Sequence, residues 1–157
     1  MANSQKRILI LDDEEIVVNS LKSLLCLETT HDVLTFTSCQ EALEAIRRNP
    51  IDLAISDFLM PEMDGVSFLK EVRRIYPAIQ LIILTGFADK ESAIRAINEV
   101  RLYQYLEKPW DNDEIIQVIE SGLNERMLIY KLQEYSQELE AKVRHLEQQV
   151  GKLKPQP

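Results

Sequence analysis

Two spacings of apolar residues alternate along the chain. Short aliphatic and β-branched runs at Arg7–Leu11, Val33–Thr37, Leu53–Ser56, Leu81–Leu84 and Gln104–Leu106 predict strands. Three of these runs are nearly continuous apolar stretches, the pattern of parallel strands covered on both faces. Between them, apolar residues recur at i, i+3, i+4 and i+7 over Glu15–Leu27, Gln40–Arg48, Val66–Ile75 and Lys90–Asn98, with a last helix starting near Asp111. Connections are short and carry Pro50, Pro61, Gly65, Pro77 and Gly86. Five strand–helix repeats of this kind imply a parallel five-stranded sheet with right-handed crossovers, hence a doubly wound three-layer α/β domain. A ligand site in such a domain lies outside the carboxyl ends of the strands, where the strand order reverses.

The helical pattern after Asn112 does not end where the domain should, but runs past residue 146. With Leu132, Leu139, Leu146 and Leu153 at d, the a positions are Ile129, Ser136, Val143 and Val150. β-Branched residues at a and Leu at d favour a parallel two-stranded coiled coil, and Lys142 at g can face Glu147 at e of a second helix. Ser136 weakens this seam, and Gly151 with Pro155 is predicted to fray its end. Read backwards, the seam meets Gly122 and Glu125, two poor core residues, so the coil is expected to start near Arg126. The expected organisation is a globular domain over 1–125 and a dimerising or linking helix over 126–157. The competing arrangement folds that amphipathic helix back onto its own domain.

Apolar content of 45% and charged content of 28% fit a soluble globular protein, and no apolar run approaches the roughly 20 residues of a membrane span. The amino terminus has only Ile8–Leu11 as an apolar stretch before two aspartates, so no secretory signal is read there and a cytoplasmic location is expected. Cys26 and Cys39 have no CxxC spacing and are read as isolated buried or half-buried thiols. Residues 1–125 hold 12 Lys/Arg against 22 Asp/Glu, a net −10, and residues 126–157 hold 6 against 4, a net +2. The acidic domain disfavours direct binding to nucleic acid, and the tail lacks the clustered charge to reverse this.

Candidate chemistry follows from where the strands end. The first delivers Asp12 and Asp13, the third Asp57, the fourth Thr85, and the fifth leads to Lys108. A lone aspartate after a strand is commonly a helix cap, but five such residues converging on one sheet edge are not explained that way. Three adjacent carboxylates repel one another unless a cation neutralises them. Oxygen ligands without His or Cys suit Mg²⁺, with Mn²⁺ able to substitute.

The strings ILILDDE, AISDFLMPEMDG, LIILTG and YQYLEKPW, in this order and spacing, resemble the receiver domains of bacterial response regulators over residues 7 to about 122. The resemblance implies a flavodoxin-like fold. It implies that Asp57 is the phosphoacceptor, a carboxylate nucleophile that becomes an acyl phosphate. Asp13, Asp57 and the backbone carbonyl of Leu59 would ligate Mg²⁺ directly, and Asp12 through water. Lys108 would pair with a phosphoryl oxygen and precede a cis peptide to Pro109. Thr85 would be the switch hydroxyl and Tyr105 the aromatic that follows it. Tyr103 is the competing aromatic, and strand alternation puts both tyrosines on the same face. Gly65 is expected to close the loop after Asp57 with a positive φ, and Pro61 to stiffen it. Leu59 and Phe87 are expected at the mouth of the site, and Trp110 is read as a packing residue. His31 and His145 match no catalytic pattern.

The same resemblance implies a histidine kinase or phosphotransfer protein as phosphodonor, and a signal that leaves through the fifth helix into the coil. The preferred reading is a receiver whose homodimeric coil leads to an output domain beyond these residues. The alternative is a stand-alone regulator acting by dimerisation or partner binding. A transcription factor would need a DNA-binding module that the sequence does not show. A Mg²⁺-dependent phosphohydrolase would also use an aspartate on an α/β sheet, but no cap or substrate pocket is legible, so enzymatic turnover is not expected.

Overall fold

The structure, a computed structural model, describes residues 4–86 and 90–153. The chain divides into two compact units, Met1–Leu123 and Asn124–Pro157. In the first, strands β1 (Arg7–Leu11), β2 (Asp32–Phe36), β3 (Leu53–Asp57), β4 (Gln80–Thr85) and β5 (Gln104–Glu107) alternate with helices α1 (Glu15–Glu28), α2 (Cys39–Arg48), α3 (Gly65–Ile75), α4 (Lys90–Val100) and α5 (Asn112–Leu153). All strands pair in parallel in the order β2-β1-β3-β4-β5. Chain direction across the sheet therefore reverses beside β1, and the carboxyl ends of β1 and β3 flank the crevice.

Strand alternation divides the core in two. Leu9, Leu11, Ala54, Leu81 and Ile83 face the side holding Ala42 and Ile46 of α2 and Phe68, Leu69 and Val72 of α3. Ile8, Ile10, Leu53, Ile55, Ile82 and Leu84 face Leu21 and Leu25 of α1 and Ile115, Val118 and Ile119 of α5. The central strands are thus continuously apolar over Ile8–Leu11, Leu53–Ile55 and Leu81–Leu84 because both of their faces are covered. Helix starts use local oxygen acceptors: Ser38 takes the N–H of Glu41, Asp64 that of Ser67 at 2.8 Å, and Asp111 that of Glu114 at 2.9 Å.

The tyrosines do not share a face. Tyr103 lies before β5 begins, where strand alternation does not hold, and packs on the α1/α5 side, whereas Tyr105 packs on the α2/α3 side. Gly122, a poor residue for a coil seam, is a close approach of α5 to the sheet: a Cβ there would stand 3.1 Å from the Tyr103 ring and 3.5 Å from Leu53. Trp110 packs on the same side as a partly buried residue, with its Nε1–H donating to Asn112. Cys39 is buried, but Cys26 is exposed rather than half-buried, because it follows Leu25 onto the outer face of α1.

Two polar anchors lie away from the carboxyl edge. The side chain of His31 is 4% exposed; its Nδ1 accepts the N–H of Lys6 at 3.2 Å, and its Nε2 meets Glu120 of α5 at 2.7 Å. A hydrogen bond contributes about 1 kcal/mol, while burying Ile115, Val118, Ile119 and Leu123 contributes roughly 1.5–3 kcal/mol each. Apolar burial therefore docks α5, and His31 orients it. Arg73 of α3 donates to the carbonyls of Pro77, Ile79, Val100 and Arg101, joining the end of α3 to the turn after α4, where Arg101 has a left-handed φ of 56°.

The second unit is the remainder of α5, which continues as helix through Gly151 to Leu153. A single glycine costs a helix only about 1 kcal/mol, which leaves it continuous there. Ile129, Leu132, Leu139, Val143, Leu146 and Val150 are all exposed on it. No helix among the described residues is long and apolar enough to cross a membrane.

Gly122→Leu is expected to overpack the α5–sheet contact and lower folding stability by about 1–3 kcal/mol, measured as a reduced urea midpoint.

Candidate functional site

The carboxyl edge brings together residues from four strand ends. Asp12 and Asp13 follow β1, Asp57 ends β3, Thr85 ends β4, and Lys108 follows β5. The Lys108 Nζ stands 2.7 Å from Asp12 Oδ2 and 3.2 Å from Asp57 Oδ1. Carboxylate oxygens of Asp12, Asp13 and Asp57 lie within 4.8 Å of one another. Asp12 and Asp57 are buried and Asp13 is exposed, so the cluster opens to solvent on the Asp13 side.

Backbone bonds set these positions. Asp12 accepts the N–H of Glu14 at 2.9 Å, at the start of α1, and Asp57 accepts that of Phe58 at 2.9 Å. The N–H of Phe58 also reaches the carbonyl of Leu84, and that of Lys108 bonds the carbonyl of Thr85 at 2.8 Å. The Lys108–Pro109 peptide is cis, as the resemblance implied. Thr85 is fully buried, and its hydroxyl donates to the carbonyl of Gly86 at 3.0 Å.

Electrostatics at this edge are unbalanced. Burial pushes the Asp57 carboxyl above its ordinary value, and the neighbouring Asp12 pushes it further, while Lys108 pulls the other way without cancelling them. Burial works against the Lys108 ammonium, but its bonds and proximity to Asp12 and Asp57 outweigh that and raise its pKa. A cluster with surplus negative charge, built from oxygen donors only, fits a hard divalent cation.

Gly65 corrects its expected role. No glycine among the described residues has a positive φ. A Cβ on Gly65 would instead fall 2.0 Å from the backbone carbonyl oxygen of Asp57, and the Gly65 N–H bonds the Phe58 carbonyl at 2.9 Å. The glycine is needed for close approach, which lets the start of α3 lie directly against the end of β3. Leu59 is 56% exposed within the loop that Gly65 closes. Phe87 lies outside the described residues.

A family model for the response regulator receiver domain matches residues 8–120. The chain belongs to the response-regulator receiver family. Among its relatives, the hydrogenase transcriptional regulatory protein HoxA of Cupriavidus necator is 36% identical over 78% of this chain and 25% of its own length. A putative response regulator, NtrX-like, of Rickettsia typhi is 33% identical over 94% of this chain and 30% of its own length. The chain thus spans about a quarter to a third of these curated relatives. A response regulator receiver domain protein from Clostridium thermocellum superimposes with a TM-score of 0.74 at 34% identity, covering 79% of this chain and 98% of the other. The receiver is therefore a module of two-component signalling, homologous to response regulators that are phosphorylated on aspartate.

The raised Asp57 pKa has a stability consequence. An acid whose folded pKa exceeds its unfolded value stabilises the fold below the unfolded pKa and loses that contribution as pH rises through the folded one. Ionising Asp57 is thus a net cost to the fold. Asp57→Asn is expected to raise the melting temperature in metal-free buffer at pH 7, and added Mg²⁺ to raise that of the wild type more than that of the variant, both read by thermal denaturation.

Proposed function

We propose that this receiver takes a phosphoryl group onto Asp57 from a histidine kinase or phosphotransfer protein and signals through α5 and the helix that continues it. The observation that supports this most is the convergence of Asp57 with Asp12, Asp13 and Lys108 at the carboxyl edge. An Asp57 carboxylate oxygen would attack the phosphorus of the donor; the bond from phosphorus to the donor's imidazole nitrogen breaks, and the imidazole leaves with that electron pair. Asp13, Asp57 and the Leu59 carbonyl would hold Mg²⁺, with Asp12 bound through water. When bound, Mg²⁺ supplies charge that screens the carboxylate from the incoming phosphoryl oxygens.

Lys108 is already within 3.2 Å of Asp57 and would exchange that contact for a phosphoryl oxygen. Thr85 would give up the Gly86 carbonyl and donate its hydroxyl to the phosphoryl group, with Tyr105 shifting after it. Such a rearrangement is a two-state change at one edge of the sheet, of the kind that phosphorylation biases. The chemistry of the chain itself is confined to its own phosphorylation and slow hydrolysis of the product. A cytoplasmic location, beside its kinase, belongs to the same reading.

Downstream, α5 would form a parallel homodimer over 126–150, leading to an output domain outside these 157 residues. Two observations support this: the exposed apolar repeat of the tail, and the longer relatives of which the chain spans a quarter to a third.

Intact mass after incubation with Mg²⁺ and acetyl phosphate is expected to show one added phosphoryl on the wild type and none on Asp57→Ala. Addition to both proteins removes Asp57 from this role; addition to neither, with Mg²⁺ binding confirmed, means a domain that has abandoned phosphorylation or takes it only from its kinase. Deleting residues 126–150 is expected to abolish the dimer in analytical ultracentrifugation; an unchanged dimer affinity would move the interface elsewhere.

A further inference from the structure

The exposed apolar residues of the tail exceed what one coiled-coil seam uses. Ile129, Leu132, Ser136 and Leu139 fill the first four seam positions of the regular heptad, and Ser136 is the polar exception. Yet Leu128 and Tyr135, each 58% exposed, lie immediately before Ile129 and Ser136 and occupy g positions, where charged residues are usual. Leu128, Leu132, Tyr135 and Leu139 follow one another at steps of 4, 3 and 4 residues, which is itself a heptad spacing.

Resting on the parallel-dimer reading above, we infer that the tail carries two overlapping seams for a second copy of this chain, sharing Leu132 and Leu139. In one, Ile129 and Ser136 face the partner. In the other, Leu128 and Tyr135 do.

After Leu139 the choice disappears. Lys142 and Gln149 hold the g positions there, so Val143, Leu146 and Val150 form the sole apolar seam. Lys142 also remains available to Glu147 of the second helix, which favours a parallel copy over other occupants of this face. Joining the Leu128/Tyr135 seam to this half makes consecutive steps of 4 residues at Tyr135, Leu139 and Val143, a stutter that locally unwinds the supercoil. Each arrangement carries one defect: a serine in an otherwise apolar core, or a stutter. Neither seam dominates over Arg126–Leu139. The contact faces differ by about 50°, half the angular step per residue at 3.5 residues per turn. Two discrete arrangements of one helix are the kind of bistable element that a turn of α5 about its axis would bias.

Disulfide trapping in the full chain tests this, with Cys26→Ser removing the exposed native thiol and Cys39 left buried. Single cysteines are placed by Leu139→Cys in the shared position, Ser136→Cys in the first seam and Tyr135→Cys in the second, followed by mild oxidation. Only residues facing each other across the seam meet disulfide geometry. All three are expected to give covalent dimers, and Ser136→Leu added to Tyr135→Cys is expected to reduce its cross-linking several-fold by favouring the first seam. No dimer from Leu139→Cys would overturn the parallel coil and this inference together. A dimer from Leu139→Cys with cross-linking at just one of positions 135 and 136 would leave the coil standing and overturn the coexistence of two seams. Cross-linking of Tyr135→Cys unaffected by Ser136→Leu would do the same.

Discussion

Asp12 and Asp57 are held against one ammonium, that of Lys108, in a place where little water reaches them. Two buried carboxylates and a third at the rim cannot all be charged there without compensation. The surrounding architecture imposes that convergence against their repulsion. The sheet order places β1 beside β3, so their ends deliver the acids to one point. β5 lies two strands away from β3, and the Lys108 N–H is held on the Thr85 carbonyl while its side chain reaches Asp12 and Asp57. The domain is thus folded around a surplus of negative charge of the kind that a divalent cation can compensate.

Most of the fold was legible because parallel strands buried on both faces leave unmistakable apolar runs, as at Ile8–Leu11 and Leu81–Leu84. Boundaries moved by a residue or two where a strand or helix end carries polar side chains, as at Asp32 and Gln80. The acids and Lys108 were legible for a related reason: a polar residue straight after an apolar strand must sit at its carboxyl edge. What failed depended on tertiary contact. Tyr103 lay just outside the strand expected at Gln104–Leu106, and carrying alternation back to it misplaced it relative to Tyr105. Gly65 and Gly122 were read from local preference, whereas their reason is the approach of another segment: the Asp57 carbonyl in one case, the Tyr103 ring in the other. His31 had no motif, and its pairing with Glu120 joins positions 89 residues apart.

α5 belongs to both parts of the protein. Its first turns are held by apolar burial and oriented by His31, and its later turns present apolar side chains to solvent. The same backbone hydrogen-bond ladder runs through both stretches. The docked turns and the exposed turns are thus stretches of one α-helix with no loop between them.

The close approach at Gly65 separates two jobs within one loop. The Gly65 N–H on the Phe58 carbonyl ties the two ends of the segment together, so residues 59–63 form a closed ring whose neck lies against Asp57, with Met60 and Met63 packed on the core. Changes at the rim need not be transmitted to the neck. The exposed Leu59 and Glu62 side chains can change while the backbone neck holds the end of β3, so the surface of this loop varies independently of the carboxylate a few residues away.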